Sequence, residues 1–102
     1  MPEFGTPYSS LSISRKISNE ELVRAIRFFI AAEYEAIQLY EELAEATDNK
    51  LAKEVLYDIA NEEKVHAGEF LRLLKELYCN EENFYKKGEK EVEEMKEKLG
   101  IK

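Results

Sequence analysis

From Leu22 to Leu77 the apolar residues recur at alternating four- and three-residue steps. One row runs Leu22, Ile26, Phe29, Glu33, Ala36, Tyr40, Leu43, and a second runs Ala52, Leu56, Ile59, Glu63, His66, Phe70, Leu73, Leu77. This is the heptad spacing of helices that pack into bundles. Ser18-Asn19-Glu20-Glu21 has the form of a capping box, and no Gly or Pro follows until Gly68. The only turn chemistry in that stretch is Thr47-Asp48-Asn49, so the pattern predicts helices over 19–46 and 50–78, joined tightly and therefore antiparallel. A second break is expected at Cys79-Asn80-Glu81-Glu82. Beyond it, 83–99 reads as a charged helix with a thin apolar stripe of Phe84, Val92, Met95 and Leu99, weakened by Gly88 and capped by Gly100. Both prolines and Gly5 fall within the first 17 residues. The chain is thus divided into an extended arm (1–17), a helical hairpin (18–79) and a charged C-terminal helix (80–102) suited to assembly, linkage or docking.

Composition supports an all-α fold. Twenty Glu and two Asp stand against 15 Lys plus Arg, leaving a net charge of −7 on 102 residues, with four Gly, two Pro and no Trp. Glu-, Lys- and Leu-rich sequence with few breakers forms helices, and one small domain is all the length allows. The acidic surface repels phosphate backbones, so nucleic-acid binding is not expected. No apolar run approaches the length of a membrane span, and no membrane partner or secretory signal is expected. The single cysteine, Cys79, cannot form an internal disulfide, which fits a cytoplasmic protein.

Each heptad row is broken only by ionisable residues. Glu33 lies fifteen positions before Asp48 and Glu63 fifteen after, so both stand about 22 Å from the turn at 1.5 Å per residue. His66 follows one helical turn after Glu63 and joins the same layer. Two carboxylates and an imidazole in an apolar seam cost several kcal/mol in desolvation unless they are paired or bind metal. No Lys or Arg stands on either row. A divalent cation would supply the missing charge, and Glu-x-x-His offers one oxygen and one nitrogen from a single helix face. The alternative is a metal-free helical assembly whose polar layer fixes register.

Two stretches, Glu33-x-x-Ala36-x-x-x-Tyr40 and Glu62-Glu63-Lys64-x-His66-Ala67, resemble the ferritin-like superfamily of di-iron carboxylate proteins. Within it they resemble the two-helix branch typified by encapsulated ferritins; the rubrerythrin branch shares the motifs. A complete site in this superfamily takes a Glu from each of two helices and a Glu-x-x-His from each of two others. One chain carries half of that, so the resemblance implies an antiparallel two-helix hairpin plus a short C-terminal helix that dimerises into a ferritin-like four-helix bundle.

By the same resemblance Glu33, Glu63 and His66 are the metal ligands and catalytic residues of a ferroxidase, which oxidises Fe²⁺ to Fe³⁺ at a di-iron site shared between two chains. Mn or Zn are possible substitutes. Tyr40 would orient a carboxylate, and Glu35 matches an acidic residue that guides metal inward, although Ala32 stands where that family often has a second Glu. Iron storage would then depend on an encapsulin shell, with the protein inside a cytoplasmic nanocompartment as an obligate homodimer or higher ring-like oligomer. The rival activity is a rubrerythrin-like peroxide reductase, for which one cysteine requires an external electron donor.

Overall fold

The computed structural model describes residues 15–102. Most of the expected N-terminal arm, residues 1–14, lies outside the described residues. The rest is helical, with no strand among the described residues: α1 (Asn19–Ala46), α2 (Lys50–Leu77) and α3 (Asn80–Leu99).

The helix ends are set by local chemistry. Ser18 Oγ accepts the Glu21 backbone N–H at 3.2 Å while the Ser18 N–H donates to Glu21 Oε1 at 2.8 Å, completing the capping box. At the start of α2, Asn49 Oδ1 accepts the Ala52 N–H at 2.9 Å. Gly100, at φ 71°, closes α3: its N–H donates to Glu97 O at 3.1 Å and that of Ile101 to Lys96 O at 2.9 Å. A left-handed residue is needed there, and glycine takes it without steric cost.

α1 and α2 pack as an antiparallel hairpin tied at both ends. Asn19 Nδ2 donates to Leu77 O at 3.2 Å, and Lys53 Nζ to Ala44 O at 2.7 Å. Val23, Ile26, Ile30 and Leu74 form the buried cluster at the open end, with Leu22, Phe70 and Leu77 against it. Beyond that cluster the buried core continues through Ala67, Ile37 and Ala60 to Ala44 near the turn.

The contact between α1 and α2 is not centred on the heptad rows. Ile30, Ile37 and Ala44 are buried with Val23 and Ile26, whereas Phe29, Leu43 and Leu73 from the rows are exposed. At 100° per residue the row on α1 points about a quarter-turn away from α2. The hairpin therefore buries the flank of its apolar surface and leaves the row itself half open.

α3 begins three residues earlier than expected, at Asn80. Glu81 and Glu82 sit in its first turn, where carboxylates favour the helix dipole. Glu81 is also the only buried charged residue among those described; it accepts from Arg27 Nε at 3.1 Å, from Arg27 Nη2 and from the Tyr85 hydroxyl. Nothing in the polar run 80–83 advertises this anchor. Gly88 does not interrupt α3, which stands off the hairpin. The radius of gyration is 18.0 Å, against about 13 Å for a compact chain of this length.

Candidate metal centre

Glu33 comes from the middle of α1, and Glu63 and His66 come from the facing stretch of α2. The short turn and the Lys53–Ala44 tie beside it keep the helices in register, so residues equally far from Asp48 arrive at one level. His66 Nδ1 lies 3.7 Å from Glu33 Oε2 and 3.7 Å from Glu63 Oε1. One donor atom from each of the three lies within 4.8 Å of the others. The side chains are graded in exposure: Glu33 17%, Glu63 21% and His66 50%. The imidazole is the outermost member, on the side where the heptad rows lack cover.

The electrostatics are those of an uncompensated site. Glu33 Oε2 is buried without a hydrogen-bond partner. Burial raises the Glu33 carboxyl from 4.5 to about 7; Glu63 beside it adds to the rise as a proton-sharing partner and a like charge, and His66 opposes it. Lys64 follows Glu63 in the chain but turns to the other flank and pairs with Glu41 at 2.8 Å. Among the described residues, no Lys or Arg forms an ion pair with Glu33 or Glu63. A buried acceptor with no donor, beside a second carboxylate and an imidazole, fits a cation: two oxygens and one nitrogen suit iron, manganese or zinc.

A cavity of about 230 Å³ opens alongside, lined by Ala32, Glu33, Glu35, Ala36, Leu39, Tyr40 and Glu63. Tyr40 and Glu35 thus share the space next to the carboxylates. Ala32 and Ala36 keep its α1 wall low.

Helices that present facing carboxylates with a Glu-x-x-His pair define the ferritin-like carboxylate class. The rubrerythrin family model matches residues 20–102. A ferritin-like–encapsulin shell fusion protein of Pyrococcus furiosus is 40% identical over 78 residues, 76% of this chain and 23% of that protein. The encapsulin nanocompartment cargo protein EncC of Myxococcus xanthus is 44% identical over 71 residues, 70% of this chain and 54% of that one. The chain therefore spans about a quarter and about half of these relatives. The crystal structure of the encapsulated ferritin domain from Pyrococcus furiosus matches with a TM-score of 0.78 at 35% identity, covering 96% of this chain and 97% of that one. The chain belongs to the rubrerythrin family of ferritin-like proteins, in its encapsulated-ferritin branch.

Proposed function

We propose that the protein is a ferroxidase whose iron-binding site is completed by a second copy of the chain. The observation that carries this reading is the half-site: a buried Glu33 oxygen without a partner, grouped with Glu63 and His66 on a hairpin face whose Phe29, Leu43 and Leu73 are uncovered. Two-fold pairing of these faces would cover the apolar rows and bring two Glu33, two Glu63 and two His66 together, the donor count of a di-iron site in a four-helix bundle. A hairpin of this size is also too small to bury its own apolar surface.

In this reading Fe²⁺ is the substrate. Glu33 and Glu63 provide the anionic oxygens, His66 the nitrogen, and Tyr40, which lines the same cavity, would orient a carboxylate. Carboxylate-rich ligation favours the harder Fe³⁺, which helps drive the oxidation. Two Fe²⁺ ions give up one electron each to dioxygen or peroxide. Glu33 releases its proton as the cation arrives, and Glu35, which lines the same cavity, guides the cation inward. A helical hairpin encloses no mineral store, so the product would pass to another compartment. The relatives named for encapsulin shells and cargo support an encapsulin nanocompartment as that compartment, with the 80–102 segment as linker, docking element or packing helix.

Anaerobic loading with Fe²⁺, read by metal analysis and native mass, tests the site. About one iron per chain in a dimer is expected, and His66→Ala should bind little; a monomer with and without iron overturns the shared site. Oxidation is then followed under oxygen and under peroxide. The family match keeps a peroxide reductase in view, and peroxide consumption that needs an added electron donor, with no net Fe²⁺ oxidation, would favour it.

A further inference from the structure

Two heptad rows belong neither to the metal site nor to the buried core. On α1, Arg27, Tyr34 and Glu41 follow seven-residue steps, and on α2 so do Tyr57, Lys64, Leu71 and Tyr78. The rows adjoin, because Lys64 pairs with Glu41 at 2.8 Å and Arg27 and Tyr78 line one cavity of about 190 Å³. At 100° per residue this groove lies about a third of a turn from the donor row on each helix, and its Tyr34, Tyr57, Leu71 and Tyr78 are each at least two-fifths exposed. On α3 a seam of the same kind runs Glu81, Tyr85, Gly88, Val92, Met95, Leu99 in 4-3-4-3-4 steps. Glu81 takes the Arg27 guanidinium and the Tyr85 hydroxyl, so the seam starts at the open end of the groove. Its apolar members, Val92, Met95 and Leu99, are each more than half exposed and lie on the same helix face as that anchor.

We propose that α3 is a hinged arm that closes along this groove in the free chain and turns the open hairpin into a three-helix bundle. Only Tyr78 and Cys79 separate α2 from α3, a link long enough for a helical hairpin. Cys79 starts α3 without a side-chain hydrogen bond, so no such bond has to break as the link turns. An arm antiparallel to α2 brings residues equally far from the link to one level. Leu99 stands twenty residues past Cys79 and Tyr57 twenty-one before Tyr78, so these two meet. Met95, sixteen past Cys79, reaches the level of Glu62 and therefore of Tyr34, both fourteen residues from Asp48. Gly88 passes over Leu71, and its missing side chain leaves room for the leucine; a Cβ there meets nothing within 4 Å in the open position. Glu82 and Lys75, each three residues from the link, form a pair of opposite charges across it.

One movement thus removes two apolar surfaces of the same chain from water. The Arg27–Glu81–Tyr85 anchor is the pivot: it holds the first turn of α3 at the groove in both positions and fixes which face the arm presents. The groove and the donor set are on different flanks, so the closed arm leaves Glu33, Glu63 and His66 uncovered. Closure needs no metal, and its test is run on the full chain with His66→Ala and chelator present, where its outcome does not depend on the iron reading.

The exposed Cys79 is replaced by Ser, and Tyr57→Cys is combined with Leu99→Cys. Mild oxidation at high dilution should give a disulfide within one chain, seen as a monomer of faster migration on a non-reducing gel. Tyr57→Cys with Gly88→Cys, whose positions stay twelve residues out of level, should give none. No link between 57 and 99, a link only between chains, or equal linking of both pairs would each overturn the closed arm. Small-angle scattering from the monomer, without added cysteines, is the second measurement. The parent should have a smaller radius of gyration than a variant carrying Val92→Glu and Met95→Glu, in which closure would bury two carboxylates. Equal radii for parent and variant would also overturn the proposal.

Discussion

Replacing Glu33 by Gln is expected to make the metal-free protein more stable while removing the proposed iron site. The carboxyl is raised from 4.5 to about 7, chiefly by burial. Its folded value lies above its unfolded one, so the fold bears no penalty when both states are protonated, below pH 4.5. The penalty grows as pH rises from 4.5 to 7 and is complete above that. At about 1.4 kcal/mol per unit it reaches about 3 kcal/mol at pH 8 and less than about 1 kcal/mol at pH 5. A buried carboxamide has unmet hydrogen bonds of its own, costing about 1 kcal/mol. The net gain for Glu33→Gln is thus about 2 kcal/mol at pH 8, a rise in melting temperature on the order of 10 °C, and close to nothing at pH 5. Thermal melts with chelator at the two pH values measure it. Fe²⁺ should then raise the melting temperature of the parent and leave the variant unmoved, and parental affinity should climb with pH through about 7 as Glu33 gives up its proton. If the variant melts below the parent at pH 8 without metal, or by the same margin at both pH values, the carboxylate is not the uncompensated group described above.

Four further outcomes concern the scaffold. Arg27→Met leaves the buried Glu81 carboxylate with only Tyr85; because the guanidinium is half exposed, the cost is about 1–2 kcal/mol, seen as faster hydrogen exchange across 80–99 with 19–77 unchanged. The Arg27 hydrogen bond holds Glu81 below its usual range despite burial, with Tyr85 assisting, so the stabilisation it provides persists above pH 4.5 and falls away as pH drops through the lowered value; exchange in α3 followed down a pH series checks the sign. Ser18→Ala removes the acceptor for the Glu21 N–H and should cost about 1 kcal/mol in denaturant midpoint. Ala60→Leu crowds the α1–α2 contact at which Ala60 is fully buried and should cost about 1–3 kcal/mol, with a drop in iron binding because the helices are spread near the level of Glu33.

The starts of α1 and α2 and the end of α3 were readable in the sequence because each rests on residues close together in the chain: Ser18 with Glu21, Asn49 with Ala52, and Gly100 at its left-handed turn; the start of α3, which has no side-chain cap, was not. The level match of Glu33 and Glu63 was readable for a similar reason, since a tight turn between unbroken helices turns residue count into distance. What could not be read this way was the direction in which a row of side chains points once the helices meet. The heptad rows identify an apolar face, but α1 and α2 chose the neighbouring face, where Ile30, Ile37, Ala44, Ala60 and Ala67 are buried. The Arg27–Glu81–Tyr85 anchor was equally hidden, because its partners are 54 residues apart and Glu81 looks like surface in a chain with twenty Glu. The quarter-turn offset bears on function as well as fold. A hairpin that buried its heptad rows would enclose Glu33, Glu63 and His66 between two helices, with three donors and no room for more. By burying the flank, the hairpin leaves His66 half exposed and Phe29, Leu43 and Leu73 of the rows open, so the surface on which the proposed pairing would act is the one that carries the three donors.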